Sequence, residues 1–262
     1  MPQALAPPRW RVCANEEDLA DAALARIVKA RDACGGAFRI VLAGGRTPRA
    51  LYERLARLKL DWRGWQFYFG DERCLPVGDR ERNSTLAKET WLGHISHDPG
   101  AVHDIPAEAG AEVGARRYAE TLAGVPDFDL VLLGLGEDGH TASLFPGNGW
   151  GEGITAPDTL AVRNSPKPPR ERVSLSAARL NRAARVLFLV SGAGKRAALA
   201  RRGAPAGKRH PWPQRRRGVG GRGRLAGVRE PGALMTRFRC GFCLRKVCSP
   251  TCACGRPGQR SI

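Results

Sequence analysis

His140 is the residue in this sequence best placed for chemistry. It leaves the turn Gly134-Leu135-Gly136-Glu137-Asp138-Gly139, and Thr141-Ala142-Ser143-Leu144-Phe145-Pro146 follows it. An imidazole titrates near neutral pH and is a natural general base. Asp138, two residues earlier, offers a carboxylate beside it. The three glycines, Gly136 among them, let the backbone turn sharply and come close to a ligand. A lone histidine more often serves a structural hydrogen bond. The neighbouring Asp138, the flanking glycines and the position at a strand end weigh against that reading here.

Three further clusters carry charge to strand ends. Gly44-Gly45-Arg46-Thr47-Pro48 separates a strand from a helix. Free backbone N–H groups and the helix dipole favour an anion at such a turn, and Arg46 and the Thr47 hydroxyl add donors. On the residues alone, a phosphate cradle and a plain strand-to-helix turn are equally good readings. Asp71-Glu72-Arg73 also follows a strand. Arg73 has the fork geometry that suits phosphate or carboxylate, and Asp71 is placed to orient Arg73 or a nearby helix. The competing reading is a solvated charge cluster. Lys195 follows Ser191-Gly192-Ala193-Gly194 and offers a point charge to a phosphate, although the spacing is not that of a Walker A loop. Arg170 and Arg172 are weaker candidates that flank a short strand. No metal is expected, because His94, His97 and His103 lack a matching ligand set.

The elements that must position these residues alternate between strand and helix patterns, which predicts an α/β fold with a mostly parallel sheet. Residues 16–33 place Leu19, Ala23, Ile27 and Ala30 on one helical face. Residues 38–42 and 66–69 read as strands. Between them Leu51, Leu55 and Leu58 repeat at helical spacing, with Thr47 as N-cap and Pro48 at the first helical position. Helices are predicted over 84–93 and 110–123, and a buried strand over 128–133. Short strands are predicted at 159–162 and 172–175, a late buried strand at 185–190, and a helix from 195 to 200. There is no internal repeat.

Composition divides the chain near residue 200. Positions 201–262 hold sixteen Lys or Arg and one acid, Glu230, so the tail carries +15 of the formal +18. Five of the eight cysteines, Cys240, Cys243, Cys248, Cys252 and Cys254, also lie there. The expected organisation is therefore an α/β domain over 1–200 and a basic Gly/Pro/Arg/Cys-rich tail over 201–262. The tail is expected to be disordered or translated out of frame, since it has too little apolar surface to offset chain entropy. A zinc module or nucleic-acid arm there is set aside, because the cysteine spacing fits no common zinc module. No apolar run is long enough to span a membrane, and the first residues do not read as a secretory signal. Cytoplasmic location is expected.

Four segments, in order, resemble the 6-phosphogluconolactonases. They are Ala43–Pro48; Gly70–Arg73 with Asn83-Ser84; Gly134–Pro146; and Lys167–Leu175 followed by Gly192–Lys195. The resemblance covers roughly residues 10 to 200 and stops where such an enzyme would be expected to add a helix and a last strand. It implies a Rossmann-like three-layer α/β sandwich related to the sugar-phosphate isomerases and deaminases. It implies hydrolysis of 6-phospho-D-glucono-1,5-lactone to 6-phosphogluconate in the pentose phosphate pathway, with no cofactor and a small phosphosugar lactone as partner. His140 would be the base, with Asp138, Asp71 and Arg73 in the catalytic group. Gly44, Gly45, Arg46, Thr47, Gly136 and Lys195 would hold substrate and phosphate. The glucosamine-6-phosphate deaminases are the nearest rival, but they carry Asp-Glu-Tyr where this chain has Asp71-Glu72-Arg73. A third reading, a basic nucleic-acid or zinc-binding protein on an inactive body, rests on the tail alone.

Overall fold

The computed structural model describes residues 9–153, 155–201 and 232–238, the last stretch as backbone. Its main sheet has seven strands in the order β1-β10-β9-β6-β2-β3-β5. These are β1 (Arg9–Cys13), β2 (Phe38–Leu42), β3 (Trp65–Phe69), β5 (Val102–His103), β6 (Leu130–Leu133), β9 (Arg185–Ser191) and β10 (Gly232–Phe238). Strands β9, β6, β2, β3 and β5 run parallel. β10 is antiparallel to both β9 and β1. A second, antiparallel sheet joins β4 (Asp71–Arg73), β8 (Arg172–Leu175) and β7 (Thr159–Val162). The predicted mostly parallel α/β architecture is thus present.

The helices are α1 (Glu16–Asp32), α2 (Arg46–Ala56), α3 (Asn83–Thr90), α4 (Ala111–Leu122), α5 (Ala177–Asn181) and α6 (Arg196–Arg201). Asn15 caps α1 by accepting from the Asp18 N–H at 2.9 Å. Leu19, Ala23, Ile27 and Ala30 are buried, as the periodicity requires. α2 begins earlier than predicted. Gly45 is its N-cap at φ 101°, Arg46 is the first helical residue, and Pro48 falls third. A proline is tolerated there because the first-turn N–H groups have no intrahelical partner. Residues 84–93 split into α3 and a 3-10 turn at Leu92–His94, and residues 193–195 form a 3-10 turn before α6.

Two tyrosines fix the strand ends that feed the site. The Tyr52 hydroxyl, from α2, accepts from Ala43 N–H at 3.0 Å and donates to Ala43 C=O at 2.7 Å. Tyr118, from α4, makes the same pair of bonds to Phe69, at 3.0 and 3.2 Å. Both rings are fully buried, which contributes on the order of 1.5–3 kcal/mol each. The hydroxyls meanwhile hold β2 and β3 at the residues just before their turns. Trp91 lies tilted beside Tyr52 and meets Trp62 and Phe67 edge to face, and Trp62 meets Trp65 the same way.

Beyond the boundary expected near residue 200, Gly232–Phe238 forms a strand between β9 and β1. The apolar Ala233-Leu234-Met235 was hidden in a basic, Gly-rich context. Residues 202–231 and 239–262, including the five tail cysteines and the residues of the zinc and nucleic-acid readings, lie outside the described residues. Among the described residues, no helix is long and apolar enough to cross a membrane.

Candidate active site

The chain runs from β2 to β3 on one side of the sheet, then returns to place β6 on the other side of β2. That reversal opens a crevice at the carboxyl ends of the parallel strands, where α/β sheets bind ligands. The crevice measures about 320 Å³ and is lined by Gly44, Gly45, Asp71, Arg73, Gly136, His140 and Lys195. Asn83, Thr141, Lys167 and Arg172 add to its polar lining.

The His140 turn is held tightly. Gly136 N–H donates to His140 C=O at 2.7 Å, Gly139 N–H to Gly136 C=O at 3.1 Å, and the Thr141 hydroxyl to Gly134 C=O at 2.9 Å. A Cβ on Gly136 would lie 2.1 Å from His140 Nδ1 and 2.4 Å from Asp138 Oδ1. Only glycine leaves room for the pair. His140 Nδ1–H donates to Asp138 Oδ1 at 2.6 Å. Burial pushes the imidazole below its usual pKa, against the pull of Asp138 and with a smaller downward push from Lys167. Burial alone would raise Asp138, but the His140 hydrogen bond and charge, with Lys167, bring it below the ordinary value. At neutral pH the pair is therefore imidazole and carboxylate. With its proton committed to Asp138, Nδ1 leaves Nε2 carrying the free lone pair.

Asp71-Glu72-Arg73 is not a solvated cluster. It forms β4, paired with β8 so that Asp71 faces Ser174 and Arg73 faces Arg172. Glu72 is fully buried. Its carboxylate accepts from the Asn83 and Ser84 N–H groups at 2.8 Å each, capping α3 from a distant part of the chain. Arg82 backs this carboxylate at 3.5 Å. Asn83, so placed, donates through Nδ2 to the Asp71 carbonyl at 2.8 Å and to Asp71 Oδ1 at 3.0 Å. The Ser143 hydroxyl donates to the other carboxylate oxygen of Asp71 at 2.6 Å. Asp71 thus ties α3 to the His140 turn. Of the two expected roles, orienting Arg73 or a nearby helix, Asp71 takes the second, through Asn83 of α3. Arg73 donates to the Glu81 carbonyl, and its buried Nε has no hydrogen-bond partner.

The anion side of the crevice is less constrained. A Cβ on Gly44 would lie 1.7 Å from Asn83 Oδ1, so glycine is required there too. Gly44 and Gly45 line the crevice, whereas the Arg46 side chain lies in an adjoining one. The Thr47 hydroxyl meets Ser191 Oγ at 2.7 Å, and Ser191 in turn donates to Glu16 at 2.7 Å. Thr47 therefore brings no free hydroxyl to the crevice. Lys195 lines it, with its pKa lowered by burial and, more weakly, by Lys167 and Arg46. Arg172 is buried and donates to the Lys167, Pro168 and Pro169 carbonyls, shaping the loop that carries Lys167. Among the described residues no group of three His, Cys, Asp or Glu is arranged to hold a metal.

Sequence reasoning brought together His140, Asp138, Asp71, Arg73, Gly44, Gly45, Gly136 and Lys195. It missed Glu72, Ser143 and Lys167 as site-building residues. Asn83 was visible only through the resemblance. Ser143 and Lys167 stood inside quoted motifs with no spacing that singled them out.

Comparison with known proteins agrees with this geometry. The profile of the glucosamine-6-phosphate isomerases/6-phosphogluconolactonase family matches residues 14–220. A 6-phosphogluconolactonase of Synechocystis is 38% identical over 221 residues, covering 79% of this chain and 90% of that protein. One from Streptomyces coelicolor is 37% identical, covering 74% and 82%. The solved 6-phosphogluconolactonase of Trypanosoma brucei superposes with a TM-score of 0.66 at 31% identity, over 76% of this chain and 87% of that one.

Proposed function

The chain belongs to the glucosamine-6-phosphate isomerase/6-phosphogluconolactonase family, and from that premise we propose that it hydrolyses 6-phospho-D-glucono-1,5-lactone to 6-phosphogluconate. The observation that carries the reading is the His140–Asp138 pair at 2.6 Å, held neutral on the imidazole. It faces a crevice whose other wall is the N-terminus of α2 with Lys195. One wall is a base; the other is an anion seat.

His140 Nε2 takes a proton from a water, and the resulting hydroxide attacks the lactone carbonyl carbon. Asp138 holds the ring and offsets the imidazolium charge that forms. The tetrahedral oxyanion collapses, the C1–ring-oxygen bond breaks, and the ring oxygen takes its proton from the imidazolium. The Gly45 turn, the α2 dipole and Lys195 hold the phosphate. That anchor turns remote binding energy into orientation at the carbonyl. Asp71, with both carboxylate oxygens bonded, is a positioning residue here. Arg73 supplies a cation between the two walls. The expected setting of the reaction is the cytoplasm, within the pentose phosphate pathway.

The test is enzyme-dependent loss of the phosphorylated lactone above the spontaneous background, for the full chain. Turnover no faster than background would reject the reading.

A further inference from the structure

On the far side of Gly45 lies a second cleft of about 200 Å³, which shares Gly45, Arg73 and Asn83 with the crevice of His140. Its other walls carry Arg46, Arg49 and Arg80. Arg46 and Arg49 stand one turn apart at the start of α2, whose first turn holds no acid to offset the dipole. Arg80 comes from the turn between β4 and α3. Among the described residues none of these three has a carboxylate at ion-pair distance. The remaining arginine of the cleft, Arg82, is committed to Glu72 and Glu108. Glu81 is the acid in the lining, so the cationic groups outnumber it. Like charges gathered this way repel, and an anion seated among them relieves that repulsion. Guanidinium forks match phosphoryl oxygens in geometry.

We propose that this cleft is a second anion subsite that takes a phosphoryl group linked to one in the main crevice. Compounds carrying a pyrophosphoryl group would then bridge Gly45 and compete with the lactone phosphate. The bridging rests on the main crevice being the phosphate site; the second cleft itself stands on its arginines.

Calorimetric titration with inorganic phosphate and inorganic pyrophosphate tests this. Pyrophosphate should bind about tenfold or more tighter than phosphate, as expected for added charge-assisted hydrogen bonds. The double variant R49A/R80A should lose most of that advantage. Its phosphate affinity and lactone turnover should stay unchanged, since neither residue lines the main crevice. Pyrophosphate binding no tighter than phosphate, or an advantage that survives R49A/R80A, would overturn the proposal. Adenosine diphosphate in a parallel titration separates the sources. Affinity like that of pyrophosphate assigns the site to an ester, and affinity like that of phosphate assigns it to the free anion. Lys195→Ala separates the two readings. If it leaves phosphate binding unchanged while R49A/R80A still weakens pyrophosphate, the main-crevice assignment fails and the subsite stands.

Discussion

The two walls of the crevice are built on opposite plans. On the base wall the groups around His140 already have protein partners. His140 bonds Asp138, Thr141 bonds Gly134, and Ser143 bonds Asp71, at 2.6 to 2.9 Å. On the anion wall Lys167 and Lys195 have no carboxylate at ion-pair distance among the described residues, and Arg73 keeps an unbonded Nε. The difference separates two tasks. A base must be oriented before substrate arrives, because misplacement costs rate. An anion seat must leave its charge uncompensated, because the ligand is the missing partner.

This contrast makes the base wall the place where small changes do the most damage. His140→Ala should lower kcat by about a hundredfold to ten-thousandfold, the usual range for losing a general base. The thermal midpoint should hardly move, because the ring is a partly exposed lining group. Near-normal turnover would move the base elsewhere. Gly136→Ala comes next. The new methyl would fall 2.1 Å from Nδ1, so the His140–Asp138 bond must break, at a cost of roughly a hundredfold in kcat. A variant with unaltered kcat would show that the pairing is dispensable.

The anion wall should respond in binding. Lys195→Ala is expected to raise KM for the phosphorylated lactone about tenfold or more, as for the loss of a charge-assisted hydrogen bond. Unphosphorylated gluconolactone should be nearly unaffected, since it has no phosphate to lose. Equal effects on both lactones would dissolve the distinction between the walls.

Much of this arrangement was legible in the sequence, and the exceptions share a cause. Strands β2, β3, β6 and β9 are buried on both faces and read as apolar runs. The residues that leave them, Gly44, Gly70, Gly134 and Ser191, could therefore be placed at one edge. β1 could not, because Arg9-Trp10-Arg11-Val12-Cys13 mixes charge with apolar residues at the sheet edge. Glu72 looked like surface charge. Its burial depends on α3 arriving eleven residues later with free N–H groups, a contact no local pattern announces. The Asp71–Ser143 bond spans 72 residues and is equally silent. β10 was hidden by its basic surroundings.

The smallest expected effect on activity comes from that strand, far from both walls. Leu234→Pro places proline where the backbone pairs with Leu189 of β9 and Arg11 of β1. A central strand does not tolerate that loss of a ladder bond. The melting temperature should fall by roughly 5 °C or more, with kcat retained below the transition. An unchanged melting temperature would mean that β10 does not hold the sheet together.

The proposed reaction needs a neutral His140 working beside a phosphate seat. Its most direct test is kcat/KM for the phosphorylated and unphosphorylated lactones between about pH 5 and 8, corrected for spontaneous hydrolysis. A base must be unprotonated to act, so the rate should rise with pH through the His140 pKa. Burial lowers that pKa, so the midpoint should lie below 6.5, with a plateau by neutrality. The phosphorylated lactone should be strongly preferred across the range. A profile without that acid limb, or equal rates for the two lactones, would contradict the account.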